Sequence, residues 1–295
     1  MRLCKNVDVV AMLDADNLRT LLQGVTQIAV SAGNAILEVY EDPAFDVSLK
    51  SDRSPLTQAD LRAHHCIAEG LGRISDLPML SEEGAGVPFE TRRGWERYWL
   101  VDPLDGTREF VARNGEFTVN IALIDRHVPV LGVVYAPVKQ LLYAGGTGCV
   151  PSGAKGSGMS AVPVVPAFRR QGTALPSPLG TSVPPRHPTR VVASRSHLDA
   201  ATQSYLERLG PTVQVSIGSS LKFCQVAEGE ADVYPRLSPT SEWDTAAGHA
   251  VLAAAGGGVI RLDGTPLRYN TRAELTNPAF IAFGDPGGDW LAPLR

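Results

Sequence analysis

The stretch from Tyr98 to Asp125, YWLVDPLDGTREFVARNGEFTVNIALID, constrains this chain more than any other. An apolar run, 98–101, reads as a strand and delivers Asp102 and Asp105, which flank Pro103 and Leu104. Two carboxylates so close together at a strand end cannot both be buried unpaired, because desolvating each costs several kcal/mol. They need water or cations. Pro103 fixes its own φ and pushes Asp102 towards an extended conformation, so the turn is stiff and the two acids can converge. Gly106 permits a sharp reversal, and Thr107 then opens a short helix whose free N–H groups attract an anion. Acids that gather Mg²⁺ beside a helix start that gathers phosphate describe metal-dependent phosphoryl chemistry. The same text also reads as a solvated acidic turn, since D-x-x-D pairs are common in such loops.

The remainder of the chain alternates helix and strand. Apolar Leu18, Leu21, Leu22, Val25, Ile28, Ala29, Ala32, Ile36 and Val39 recur at helical spacing and predict a helix over 17–41. Residues 46–50 read as a short strand, and SDRSP as a turn. Thr57 is a candidate cap for a second helix carrying Leu61, Ile67, Leu71 and Ile74, with Asp60 in its first turn. Taken alone, Asp60 reads as a carboxylate favoured by the helix dipole. The adjacent His64 and His65 point to different sides of that helix and read as ordinary face residues. A strand over 77–80 runs into Glu82 and Glu83; alternation sends one to each side, and spacing does not say which faces the site. Strands over 117–125, 128–136 and 141–144 follow with short links, as in an antiparallel sheet.

Between Val150 and Arg190 the text changes. Prolines stand at 151, 163, 166, 176, 178, 184, 185 and 188, and glycines at 153, 156, 158, 172 and 180. The segment has no Asp or Glu but carries Lys155, Arg169, Arg170, Arg186 and Arg190. It reads as a long basic insertion loop, either simply solvated or drawing in an anionic substrate or a membrane surface. Strand and helix then resume: strands over 189–194, 212–217, 232–237, 259–262 and 280–283, helices over 198–209, 221–228 and 245–255. The expected class is α/β: an α+β N-terminal half (17–149), the insertion (150–188) and an α/β C-terminal half (189–295). Gly218-Ser219-Ser220 before a helix is a candidate anion cradle of backbone N–H groups, with Lys222 beside it. Asp244 at the next helix start reads by itself as a cap beside Trp243. Gly256-Gly257-Gly258 follows a helix and reads as its stop.

Composition narrows the class. A formal net charge of -4 argues against general nucleic-acid binding. No apolar run reaches the roughly 20 residues a membrane helix needs, and the first residues are too acidic for a secretory signal. Cys4, Cys66, Cys149 and Cys224 lack C-x-x-C spacing and read as reduced thiols of a cytoplasmic protein.

DPLDGT, with SEE upstream and WDTAAGHA downstream, resembles the inositol-monophosphatase-like superfamily of Mg²⁺-dependent, lithium-sensitive phosphatases. LGVVYAP, SRSH, SIGSSLKFCQVAEG and YPRLSPTSEWDTAAGHA resemble, more narrowly, its bacterial 3'(2'),5'-bisphosphate nucleotidase branch. The resemblance runs from about Val25 to about Phe283, broken by the basic insertion. It implies a layered αβαβα architecture and hydrolysis of the 3'-phosphate of 3'-phosphoadenosine 5'-phosphate in sulfate assimilation. It implies two Mg²⁺ ions, with a weaker third near Glu82. Glu82, Asp102 and the Leu104 carbonyl would hold one, and Asp102, Asp105 and Asp244 the other. Asp60 and Thr107 would orient and deprotonate the attacking water. Glu82, Gly106, Thr107, Ser194, His197, Gly218, Lys222 and Asp244 would contact substrate. An inositol monophosphatase, a sugar bisphosphatase and a non-catalytic nucleotide sensor are the rival readings. Sequence fixes neither monomer nor homodimer, nor whether the protein sits peripherally on the inner membrane face.

Overall fold

The computed structural model describes residues 15–42, 55–84, 86–151, 159–193 and 199–295. Helix α1 (Ala15–Tyr40) and helix α2 (Pro55–Ile74) lead into strand β1 (Met79–Ser81), a 3₁₀ turn (Glu82–Gly84) and a short α3 (Phe89–Arg92). Strand β2 (Arg97–Asp105) and the one-turn α4 (Thr107–Val111) precede β3 (Thr118–Asp125), β4 (Val128–Ala136), β5 (Leu141–Pro151), β6 (Met159–Gln171) and β7 (Ser177–Pro178). The C-terminal half follows as β8 (Thr189–Ala193), α5 (Ala200–Leu209), β9 (Thr212–Ser216), α6 (Leu221–Ala227), β10 (Val233–Arg236), α7 (Trp243–Ala254), β11 (Gly258–Arg261) and β12 (Phe280–Phe283).

Strands β1 to β7 form one sheet in chain order; β1 and β2 are parallel and the other neighbours antiparallel. The second sheet has the order β11-β12-β10-β8-β9, with β10, β8 and β9 mutually parallel. Both faces of the larger sheet are covered, which is why β3 and β4 are buried along their whole length. Alternation along β2 sends Trp99 and Val101 to the α1/α2 side, and Tyr98 and Leu100 to the α6/α7 side. Beyond α6 and α7 lies the second sheet, whose outer face packs Val191, Val233 and Ile281 under Tyr205 and Leu206 of α5. The resulting order of layers is α1/α2, sheet, α6/α7, sheet, α5, the αβαβα arrangement expected.

Three sequence expectations change. The second helix begins at Pro55, so Thr57 lies inside its first turn and Asp60 in its second; proline is pre-organised for the first helical position. The strand before the paired aspartates does not stop at Val101: β2 runs through both acids, with a bulge between them. The third concerns the basic insertion. Residues 159–171 are a strand paired with β5, not a loop. Its prolines are tolerated because the ladder shifts register around Gly146, Val165 and Pro163, and because β7 covers only Phe168 and Arg169 on the far side. Two of its charges are compensated from outside the segment: Arg169 pairs with Glu228 at 3.1 Å and Arg190 with Asp232 at 2.8 Å. The strand expected over 46–50 lies outside the described residues.

Candidate active site

The bulge in β2 creates the site. Asp102 still pairs in register with Asn120, and Asp105 with Thr118, while Pro103 and Leu104 drop out of the ladder between them. Leu104 N–H turns back to donate to Asp102 Oδ1 at 3.0 Å. Gly106 then takes φ +96°, a conformation that suits glycine alone, and α4 starts at Thr107, which is exposed. Asp244 arrives from the other half of the chain, in the first turn of α7. Asp102, Asp105 and Asp244 each offer an oxygen within 4.8 Å of the others'. Glu82, in the 3₁₀ turn, is close enough to Asp102, Asp105 and Asp244 for their charges to act on its carboxyl group.

So many acids in one place change each other's protonation. Burial, then the charges of Asp105, Asp244 and Glu82, raises Asp102 well above the carboxylate range. Although Glu82 is exposed as a residue, local desolvation of its carboxyl and the charge of Asp244 push it up to about 7. Asp244 is raised to about 6 by burial and Asp105, restrained by hydrogen bonds from Thr240 at 2.5 Å and Ser241 N–H at 2.9 Å. Asp60, on α2, is pushed to about 8 by burial and by Glu83 and Glu82, and its Oδ1 is buried without a hydrogen-bond partner. An all-oxygen donor set under this much mutual repulsion fits a hard divalent cation, whose charge would return these groups to carboxylates. The donors suit Mg²⁺ and offer zinc no thiolate or imidazole.

A cavity of about 200 Å³ opens from this acid cluster. Asp105, Glu109 and Asp244 line it together with Arg108, Lys222 and Arg236, so acids and positive charges stand side by side. Lys222 donates to Ser219 O at 3.0 Å, and burial lowers its pKa despite the nearby acids. The expected anion cradle at 218–220 is already filled from within the protein. Gly218 N–H donates to Glu116 Oε2 at 2.9 Å, and Ser220 N–H to Asp105 Oδ2 at 2.6 Å. These amides hold the site's carboxylates rather than waiting for a ligand's. Ser194 and His197 lie outside the described residues.

Several functional side chains were not singled out from sequence. Ser220 Oγ lies 2.7 Å from Asp105 Oδ2 and 2.6 Å from Asp244 O, so one hydroxyl joins the two halves of the site. Asn120 donates to Ser220 Oγ at 2.8 Å and to Asp105 at 3.3 Å. A fully buried amide inside the apolar run TVNIALID was the available signal for Asn120. Arg236 had the weaker signal of a charge ending a buried strand.

The five-layered fold, the bulged aspartate pair and the acid arriving from α7 together define a known class. Residues 17–282 match the inositol monophosphatase family, and the chain belongs to that family. Within it, the chain is 50% identical over 262 residues to the 3'(2'),5'-bisphosphate nucleotidase CysQ of Escherichia coli (strain K12), covering 88% of this chain and 98% of that protein. It is 41% identical to CysQ of Buchnera aphidicola over 90% of this chain and 94% of the relative. The crystal structure of CysQ from Bacteroides thetaiotaomicron superposes with a TM-score of 0.78 at 42% identity, over 90% of this chain and 97% of that one. An inositol monophosphatase from Anabaena shares the fold at 24% identity and a TM-score of 0.67. No helix among the described residues is long and apolar enough to cross a membrane.

Proposed function

We propose that the protein is a Mg²⁺-dependent phosphatase that removes the 3'-phosphate of 3'-phosphoadenosine 5'-phosphate, giving AMP and phosphate. The observation that carries this reading is the 50% identity to a bisphosphate nucleotidase over nearly its full length. The cavity agrees with it: acids that fit a cation stand beside Arg108, Lys222 and Arg236, positive charge enough for a substrate with two phosphates.

Glu82, Asp102, Asp105, Asp244 and the Leu104 carbonyl would hold two Mg²⁺ ions. When bound, Mg²⁺ acidifies the attacking water and screens charge on the transferring phosphoryl group. Asp60 receives the proton of that water: its Oδ1 has no other partner, and Glu83 beside it favours uptake. Thr107, exposed at the start of α4, orients the same water through its hydroxyl. Lys222 and Arg236 hold the second phosphate, which selects a bisphosphate over a monophosphate. Ser194 and His197 are proposed to contact the nucleotide.

The test is phosphate release by the purified protein, with and without Mg²⁺, on 3'-phosphoadenosine 5'-phosphate and on inositol 1-phosphate. A strong preference for the nucleotide that disappears in Asp102→Asn supports the reading. Equal or reversed rates would keep the metal chemistry and reject the substrate. Folded protein that binds the nucleotide without turnover would make it a sensor.

A further inference from the structure

Among the described residues of the basic segment 150–190, one half-buried charge stands without an acid. Adjacent residues on a strand point to opposite faces, and Arg169 and Arg170 divide accordingly. Arg169 reaches Glu228 on the α6 side. Arg170 pairs in register with Leu142 and faces α1, where its guanidinium meets no acid among the described residues, and its Nε is buried with no hydrogen-bond partner. A half-buried cation without an anion is costly unless something supplies one.

Two cavities open on either side of this guanidinium. One, of about 270 Å³, is bounded by Asn34, Tyr135 and Gln140. The other, of about 400 Å³, is bounded by Gln23, Gln27 and Phe168. Neither is lined by a single carboxylate, and Arg19, at the rim of the larger, is paired with the exposed Asp16, which leaves Arg170 as the cation that faces them unpaired. The walls are otherwise mostly apolar, broken by amide and hydroxyl groups. An inorganic ion would answer the charge but leave the aromatic and aliphatic walls wet. A molecule with an anionic head and a flat or aliphatic body would answer both.

We propose that the paired cavities around Arg170 form a binding site for a small organic anion, its carboxylate, sulfonate or phosphate head on the guanidinium and its body against Phe168 or Tyr135. The site is separate from the phosphatase centre. It lies on the α1 face of the larger sheet and four strands from β2, roughly 19 Å at the usual strand spacing. Arg170 supplies a planar fork that suits such heads, and the amides of Gln23, Gln27, Asn34 and Gln140 read polar edges of the body.

The probe is 8-anilinonaphthalene-1-sulfonate, followed by its fluorescence on the full-length protein. The neutral N-phenyl-1-naphthylamine, which has the same aromatic body without the sulfonate, is the comparison. Saturable binding of the sulfonate should weaken roughly tenfold in Arg170→Gln, as expected for loss of a charge-assisted contact. It should weaken several-fold in Gln27→Glu, which places a like charge at the rim without touching the core. Binding of the neutral dye and phosphatase activity should stay as in the parent. Unchanged sulfonate affinity in both variants would overturn the proposal. So would equal losses for the neutral dye, or dye binding that is lost in Arg236→Gln but not in Arg170→Gln.

Discussion

Ser220 shows how little redundancy the active site has. Its amide and hydroxyl both address Asp105 Oδ2, and the same hydroxyl lies within reach of Asp244 O, so one residue sets two acids from distant parts of the chain. Ser220→Ala keeps the amide and removes the hydroxyl. The Mg²⁺ concentration for half-maximal activity should then rise roughly tenfold, typical for loss of a group that orients a ligand, with little change in melting temperature. Asp102 is a different case. It is buried and central to the acid cluster, so Asp102→Asn should lower phosphate release on the order of 10³-fold or more. Thr107→Ala, at an exposed hydroxyl, should cost less. A steady-state assay across Mg²⁺ concentrations reads all three. Asp102 and Asp105 were legible in the sequence because DPLDGT is local text in which Pro103 and Gly106 constrain neighbours directly, whereas Asp60, Glu82 and Asp244 were placed only by the family resemblance. Ser220 and Asn120 were not legible, because their meaning depends on contacts made across about a hundred residues of chain or more. The Gly218 amide misled for the same reason, since its partner Glu116 lies in a different element.

The elements were legible where one local force governs them and obscure where pairing does. Helices α1 and α7 and strands β3 and β4 carry uninterrupted apolar periodicity and stand where the sequence places them. Strand β6 carries Pro163 and Pro166, and its composition alone argues for a loop. What overrides composition is the long β5 beside it, with a bulge at Gly146 that absorbs the missing donors. Glycine content likewise hides a packing device. Helix α7 lies so close to β4 that a Cβ on Gly132 would stand 2.2 Å from the carbonyl oxygen of Ala247. Backbone cannot yield as a side chain can, so Gly132→Ala should destabilise the protein by about 1–3 kcal/mol. Gly72, in helix α2, has nothing within 4 Å of the same hypothetical atom. Gly72→Ala should therefore stabilise by about 0.5–1 kcal/mol through helix propensity and a less flexible unfolded chain. Urea melts of the two variants should move in opposite directions. A Gly132→Ala protein as stable as its parent would mean that α7 does not press on β4 in this way.

At the scale of the whole molecule, the acid cluster ties folding stability to pH and to the cation together. Without metal, burial and mutual repulsion hold Asp60 at about 8, Glu82 at about 7 and Asp244 at about 6. In the unfolded chain the same groups titrate near 4. Between those limits the folded state binds more protons than the unfolded one, so the contribution of these acids to stability is full below about pH 4 and falls as pH rises towards 8. A bound cation takes the place of those protons and removes the penalty. His249 works in the opposite direction: buried against Tyr269, it is held neutral with a pKa of about 3, so stability is lost as pH falls below its unfolded value of about 6.5. That loss is the same with or without metal and cancels when the two conditions are compared. The difference in melting temperature between Mg²⁺ and chelator should thus be small near pH 5.5, widen steadily to about pH 8 and shrink sharply in Asp102→Asn. A gap that stays flat over this range would mean that the acids charge freely without a cation, and the metal centre would have to be sought elsewhere.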